Sequence, residues 1–257
     1  MTQQMSELHE LLEQLHDRYN RESFIEDDPI SVPHRYTERA DREIAGFFSA
    51  TIAWGNRKSI VKNGHRMMRF MDDAPADFVR HASTEELAAL DGFVHRTFNG
   101  GDFRDFVLAL RRIDAQFGGI GSFFEQRWEA THSMPQVLAD FRSEFFQSPH
   151  QPRCEKHLSS IVRGAACKRL CMYLRWMVRR DSRGVDFGLW QRIPMSALYL
   201  PLDVHVGEVS RELGLLDRRQ NDWKAVEELT ANLRLFDGED PCRYDFSLFG
   251  AGMAGKL

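Results

Sequence analysis

Apolar residues recur every three to four positions along almost the whole chain. Leu8, Leu11, Leu12 and Leu15 stand at i, i+3, i+4 and i+7, and Ile44, Phe47, Phe48, Thr51 and Ile52 continue the stripe in a later stretch. That period lines one face of a 3.6-residue helix, so both stretches are predicted to be amphipathic helices. Boundary signals agree with the periodicity. Ser83 followed by Glu86 is a capping box ahead of "LAAL", Asp102 can cap "FRDFVLALRRIDAQF", and Gly118-Gly119 stops that helix. All nine prolines sit at plausible boundaries and none interrupts a periodic run. No stretch reads as a convincing strand, and there is no internal repeat, low-complexity tract or long linker. The pattern predicts an all-α protein of about ten helices with short connections. Residues 1–257 are expected to form one globular helical unit in two packed halves: an N-terminal helix and loop over 1–36, one half over 37–150, the other over 151–257.

Composition narrows the class. With 257 residues, 42% hydrophobic and 11% aromatic, the chain can bury a sizeable core. The start, "MTQQMSELHELLEQLHDRYN", lacks a basic region followed by an apolar one, and no run approaches the length of a membrane span. No membrane partner and a cytoplasmic location are therefore expected. Cys154, Cys167, Cys171 and Cys242 have neither C-x-x-C nor zinc-finger spacing and read as free thiols. His34, His65, His95, His157 and His205 show no ligand spacing either, so no metal site is expected.

Charge changes the picture more. The net charge is −4, yet residues 56–70 carry Arg57, Lys58, Lys62, Arg66 and Arg69 with no acid, and residues 163–183 carry seven basic residues against Asp181 alone. Residues 1–28 hold eight acids against Arg18 and Arg21, so the start of the chain is expected to lie away from any polyanion. Each basic run reads either as a solvated helix face or as part of a phosphate-binding surface.

Two stretches carry candidate chemistry. In "SSIVRGAACKRLCMYLRWMVRRDSRG", Arg163-Gly164 reads as a turn and a helix follows from Ala166, with Leu170, Tyr173, Leu174 and Met177 on one side and Arg169, Arg175, Arg179 and Arg180 mostly on others. Lys168 falls in its first turn, where the helix dipole disfavours a cation and so favours the free amine, a nucleophile. In "LYLPLDVHVGEVSRELGLL", Asp203 precedes an apolar-periodic run and reads as an N-cap whose second oxygen is available for chemistry.

A turn, a helix with a lysine near its start, and a later Pro-Leu-Asp-Val-His-Val segment opening another helix resemble the helix-hairpin-helix superfamily of base-excision DNA glycosylases. The 35 residues from Lys168 to Asp203 make the layout most similar to the archaeal 8-oxoguanine DNA glycosylase/AP lyases. The chain as a whole also resembles an uncharacterised bacterial family related to them. The resemblance, over about residues 40–255, implies Lys168 as Schiff-base nucleophile and Asp203 as the assisting acid. It implies nucleic-acid contacts from Asn56, Arg57, Lys58, Arg163, Gly164 and Arg169, with Asn56 and Trp54 both candidates for the residue that relatives use to fill the gap of a flipped base. It further implies a base pocket of Trp54, Asp245 and Phe249. "IVRGAA" replaces the superfamily's Leu-Pro-Gly-x-Gly hairpin, and no C-terminal four-cysteine cluster is present for an iron–sulfur centre, so no cofactor is implied. The expected function is a glycosylase/AP lyase acting on a damaged base, an oxidised purine by analogy, in duplex DNA. The alternatives are a nucleic-acid-binding relative without turnover and a helical protein-interaction module.

Overall fold

Helix α1 (Gln3–Tyr19) opens the chain in a computed structural model that describes residues 3–254. It is followed by α2 (Ser31–His34), α3 (Arg39–Thr51), α4 (Arg57–Phe70), α5 (Pro75–His81), α6 (Thr84–Ala89), α7 (Gly100–Phe117), α8 (Ile120–Thr131) and α9 (Met134–Phe145). After a stretch of 3₁₀ turns come α10 (Lys168–Val178), α11 (Val204–Glu212), α12 (Trp223–Arg234) and α13 (Asp245–Ala254). The protein is all-α, with thirteen α-helices among the described residues against the ten or so expected. The short ones, such as the four-residue α2 and the six-residue α6, give too few positions for a 3.6 period to show. The only sheet among those residues is a hairpin, β1 (Val94–His95) against β2 (Phe98–Asn99), whose two-residue strands are too short to alternate visibly.

The local signals act largely as read. Ser83 and Glu86 make both bonds of the capping box on α6. At α7 the roles shift by three residues: Asn99 is the N-cap and Asp102 reaches back to its backbone N–H, a reciprocal pair of the same kind. Gly118 then ends α7 at φ 79°, a left-handed conformation suited to a residue without Cβ.

Contacts divide the chain into two units. One runs from Ile25 to Ser159; the other joins the chain up to Phe24 to the chain from Ser160 onward. The boundary between the units falls at Ser159/Ser160, and the N-terminal helix lies in the second unit. In the Ile25–Ser159 unit the core is largely phenylalanine: Phe47 meets Phe141 at 5.8 Å, Phe106 meets Phe145 at 4.7 Å and Phe48 meets Phe103 at 5.0 Å, all edge-on. Burying one such ring is worth roughly 1.5–3 kcal/mol, so these contacts dominate that unit's stability.

In the other unit α1 lies on α13. Gly250 permits the approach, since a Cβ there would overlap the Tyr19 ring. The buried face of α1 is Leu12 and His16. Asn20 Nδ2 lies 2.9 Å from His16 Nε2, and burial, with the charges of Arg243, Arg179 and Arg183 behind it, pulls the imidazole down to about 4. His16 is therefore neutral when folded and takes a proton on unfolding anywhere below its ordinary value of 6.5. Unfolded chain then binds more protons than folded chain, so this contribution is intact above pH 6.5 and is lost as pH falls toward 4. Urea melts of wild type and His16→Gln across that window are expected to converge as the pH falls; a constant difference would show that His16 does not titrate on unfolding.

No helix among the described residues is long and apolar enough to cross a membrane.

Candidate functional site

The turn before α10 sets where Lys168 stands. Ile161–Arg163 forms one 3₁₀ turn, and Gly164 at φ 78° reverses the chain. Gly164 N donates to Ile161 O (2.8 Å), Ala165 N to Ser160 O (3.1 Å), and Gly164 O accepts from Trp223 N at the start of α12 (2.9 Å). The turn is real, and the Gly164 and Ala165 amides help hold its shape. Arg163 stays exposed, whereas Arg169 is half-buried and its loss of solvation draws it down to about 10.

Cys167, at φ 50°, turns the chain into α10, and Lys168 is the first residue of that helix, as its sequence position implied. Its Nζ lies 3.9 Å from Asp203 Oδ2 and 3.5 Å from Met172 Sδ one turn on. Asp203 is the N-cap of α11: its Oδ1 accepts from Val206 N at 3.0 Å, and Asn221 Nδ2 donates to its backbone oxygen at 3.0 Å. One carboxylate oxygen is thus committed to the cap and the other faces the amine. Both side chains keep 26% of their surface, so the pair is open to a ligand. At 3.9 Å the ammonium and carboxylate attract but are not locked together.

Asp245, the first residue of α13, joins this neighbourhood from below. It is 5% exposed and paired with Arg175, whose Nε also lies 3.3 Å from Asp186 Oδ1. Burial pushes the Asp245 carboxyl up to about 6; Arg175 pulls it back, Asp203 adds to the rise and Lys168 opposes it. Lys168, Asp203 and Asp245, the last two 35 and 77 residues further along the chain, therefore share one electrostatic environment. The expected base pocket is altered, however. Asp245 engages Arg175, and Phe249 sets its ring edge-on to Phe24 at 6.0 Å.

The remaining expected contacts lie in the Ile25–Ser159 unit. Asn56 caps α4, its Oδ1 accepting from Ser59 N at 3.1 Å, so the proposed gap-filling amide is engaged in helix formation. Arg57 Nη2 is 2.7 Å from Asp28 Oδ2, which withdraws it from phosphate contact because the nearly buried carboxylate needs its charge. Lys58 is exposed. Trp54 is half-buried, stacked on His157 at 5.6 Å and edge-on to His95 at 5.1 Å.

Arg175 and Arg179 correct a second reading. They are 3% and 2% exposed, not on a solvated face. Arg179 holds Asp181 (2.8 Å), Asp186 (3.1 Å) and Asp240 (2.9 Å), and Arg175 stands 4.3 Å over the Phe246 ring. Lys168 and Arg175 are seven residues apart on α10 and hence on one face; the aromatic neighbours Tyr173 and Trp176 were the available hint that this face is interior. All four cysteines are buried thiols outside any disulfide.

A family model described as "Protein of unknown function (DUF2400)" matches residues 28–254. No curated protein and no solved structure matches the chain.

Proposed function

For this chain, which belongs to the DUF2400 family, we propose a base-excision chemistry of the helix-hairpin-helix glycosylase kind, in which Lys168 attacks the sugar of a damaged nucleotide and Asp203 assists. The observation that carries the reading is the 3.9 Å approach of Lys168 Nζ to the Asp203 oxygen that does not cap α11. An N-glycosidic bond breaks through an oxocarbenium-like state, and a fixed carboxylate beside C1′ stabilises that developing charge. The amine lone pair forms the C1′–Nζ bond as the C1′–N bond breaks and its electron pair leaves on the base, which takes up a proton. Asp203 takes the first proton from the Lys168 ammonium and so frees that lone pair, and the second, shed by the nitrogen once it is bonded to C1′, is the one the departing base takes up. The C1′–O4′ pair then moves onto O4′, which is protonated, and a C1′=Nζ iminium remains. Loss of a C2′ proton expels the 3′ phosphate, the lyase step.

The layout similarity to the archaeal enzymes supports an oxidised purine as the base and damaged duplex DNA as the partner. The engagement of Asp245 by Arg175 favours a second reading, a nucleic-acid-binding relative without turnover, because it occupies an acid that such a pocket would use. Borohydride trapping on lesion-bearing oligonucleotides separates the two.

Asp203→Asn distinguishes capping from chemistry. Asparagine is as good a cap, so stability is expected to change by at most about 1 kcal/mol. Excision and imine formation are expected to fall at least tenfold, because the charge beside C1′ is gone. A variant that melts like wild type and cleaves at the wild-type rate would leave Asp203 as a cap alone.

A further inference from the structure

We infer that the Ile25–Ser159 unit carries a binding surface of its own for single-stranded nucleic acid, built from the exposed face of α4, the tip of the β1–β2 hairpin and the ring of Trp54. The proposal does not rest on the Lys168 chemistry, which lies in the other unit.

Pairing singles out the cations. Arg39, Arg57, Arg80, Arg112 and Arg142 in this unit each hold a carboxylate. Among the described residues no carboxylate stands within ion-pair distance of Lys58, Lys62, Arg69 or Arg96, and all four are exposed. In a chain with 38 acids against 34 lysines and arginines, these four stand near one another around α4, and neighbouring like charges repel until an anion arrives. Lys58, Lys62 and Arg69 are spaced by four and seven residues and form one stripe along α4, about 16 Å long at 1.5 Å per residue.

Tertiary packing adds Arg96 to that stripe. It sits at the hairpin tip at φ 54°, and its guanidinium lies against Gly55: a Cβ there would be 2.7 Å from Arg96 Nη1. The hairpin is held to α4 by Asn63 Nδ2, 3.1 Å from His95 Nδ1, and by Arg66 Nη2, 2.8 Å from Gly92 O.

Trp54, next to Gly55, supplies a ring whose plane is fixed. It stacks on buried His157, whose Nε2 is 3.4 Å from Asp102 Oδ2; Arg153 binds the same carboxylate and donates to Thr97 O at the hairpin tip (2.9 Å). A half-buried tryptophan so held, flanked by free cations, is the combination that binds unpaired bases: phosphates are neutralised along a groove or stripe and a base stacks on the ring. A duplex hides its base faces, so the surface favours an open strand.

The test is fluorescence anisotropy of the full chain with a labelled mixed-sequence 20-mer, single-stranded and as duplex, over a range of salt. Lys58→Ser/Lys62→Ser/Arg96→Ser is expected to lower the slope of log affinity against log salt by about two, near 0.7 per lost contact on a single strand. Trp54→Leu is expected to weaken single-strand binding roughly tenfold with no change in slope, and Trp54→Phe to restore most of it. If Trp54→Leu does not fold, as judged by circular dichroism, the comparison of wild type with Trp54→Phe and with the triple variant decides. Binding of an undamaged strand involves no imine, so failure of trapping on lesion-bearing DNA leaves this result standing. An unchanged salt slope in the triple variant, preference for duplex with no Trp54 effect, or equal displacement by poly-glutamate would overturn the proposal, the last pointing to an acidic protein partner.

Discussion

Lys168→Gln is expected to abolish borohydride trapping of the protein on DNA bearing an abasic site or oxidised guanine, while affinity for the same DNA stays within about tenfold. The expectation follows from where the amine stands. It is the first residue of α10, behind the reversal at Gly164 and Cys167, and it faces the free oxygen of the Asp203 cap. An imine between Nζ and C1′ is reducible to a stable amine, so trapped protein reports the covalent step directly, and peptide mapping should place the adduct on Lys168. Removing one charge from phosphate range costs only about 1 kcal/mol, which sets the tenfold limit on binding. Exposed lysines also react slowly with abasic sites, so the rate must exceed that of a basic control protein. Adduct formation that persists in Lys168→Gln would move the nucleophile elsewhere, and absence of trapping on every lesion would leave a nucleic-acid-binding protein without turnover.

The largest effect on stability is expected at Arg179. Its guanidinium is 2% exposed and serves Asp181, Asp186 and Asp240. Arg179→Met keeps much of the volume but strands Asp186 and Asp240 inside the unit without that charge, a change that costs about 3–5 kcal/mol when one partner of a buried pair is removed. For a chain of this length that is a fall of roughly 10 °C in Tm. Burial already pushes both carboxyls above their ordinary values, Arg175 and Arg179 pulling Asp186 back and Arg179 pulling Asp240 back. Without Arg179 they hold protons more firmly when folded than when unfolded. The variant's deficit is then largest above the folded-state values and narrows as pH falls toward the ordinary carboxylate value, where both forms are protonated. Arg179→Lys, which restores a charge but not the planar fork, is expected to fall between. A Tm within 2 °C of wild type for Arg179→Met would show that the network is not what holds this unit together.

The helices themselves were legible in the chain because the bonds that make them connect residues three and four apart. The Leu8–Leu15 stripe, the Ser83–Glu86 box, the Gly118 stop and the Asp203 cap are all of that local kind, and each stands where the pattern placed it. The lysine's position in the first turn of its helix was legible for the same reason. What lay beyond reach were relations between distant residues. Arg175 and Arg179 looked like a solvated face because the acids that bury them, Asp240 and Asp245, follow some sixty to seventy residues later. Arg57 pairs with Asp28 from an earlier loop, and Arg96 comes to α4 only because the hairpin lays it on Gly55. Periodicity tells which side of a helix is apolar, but a buried charge is set by which partner arrives, and that depends on packing between elements far apart in the chain. Only the tertiary structure decides it.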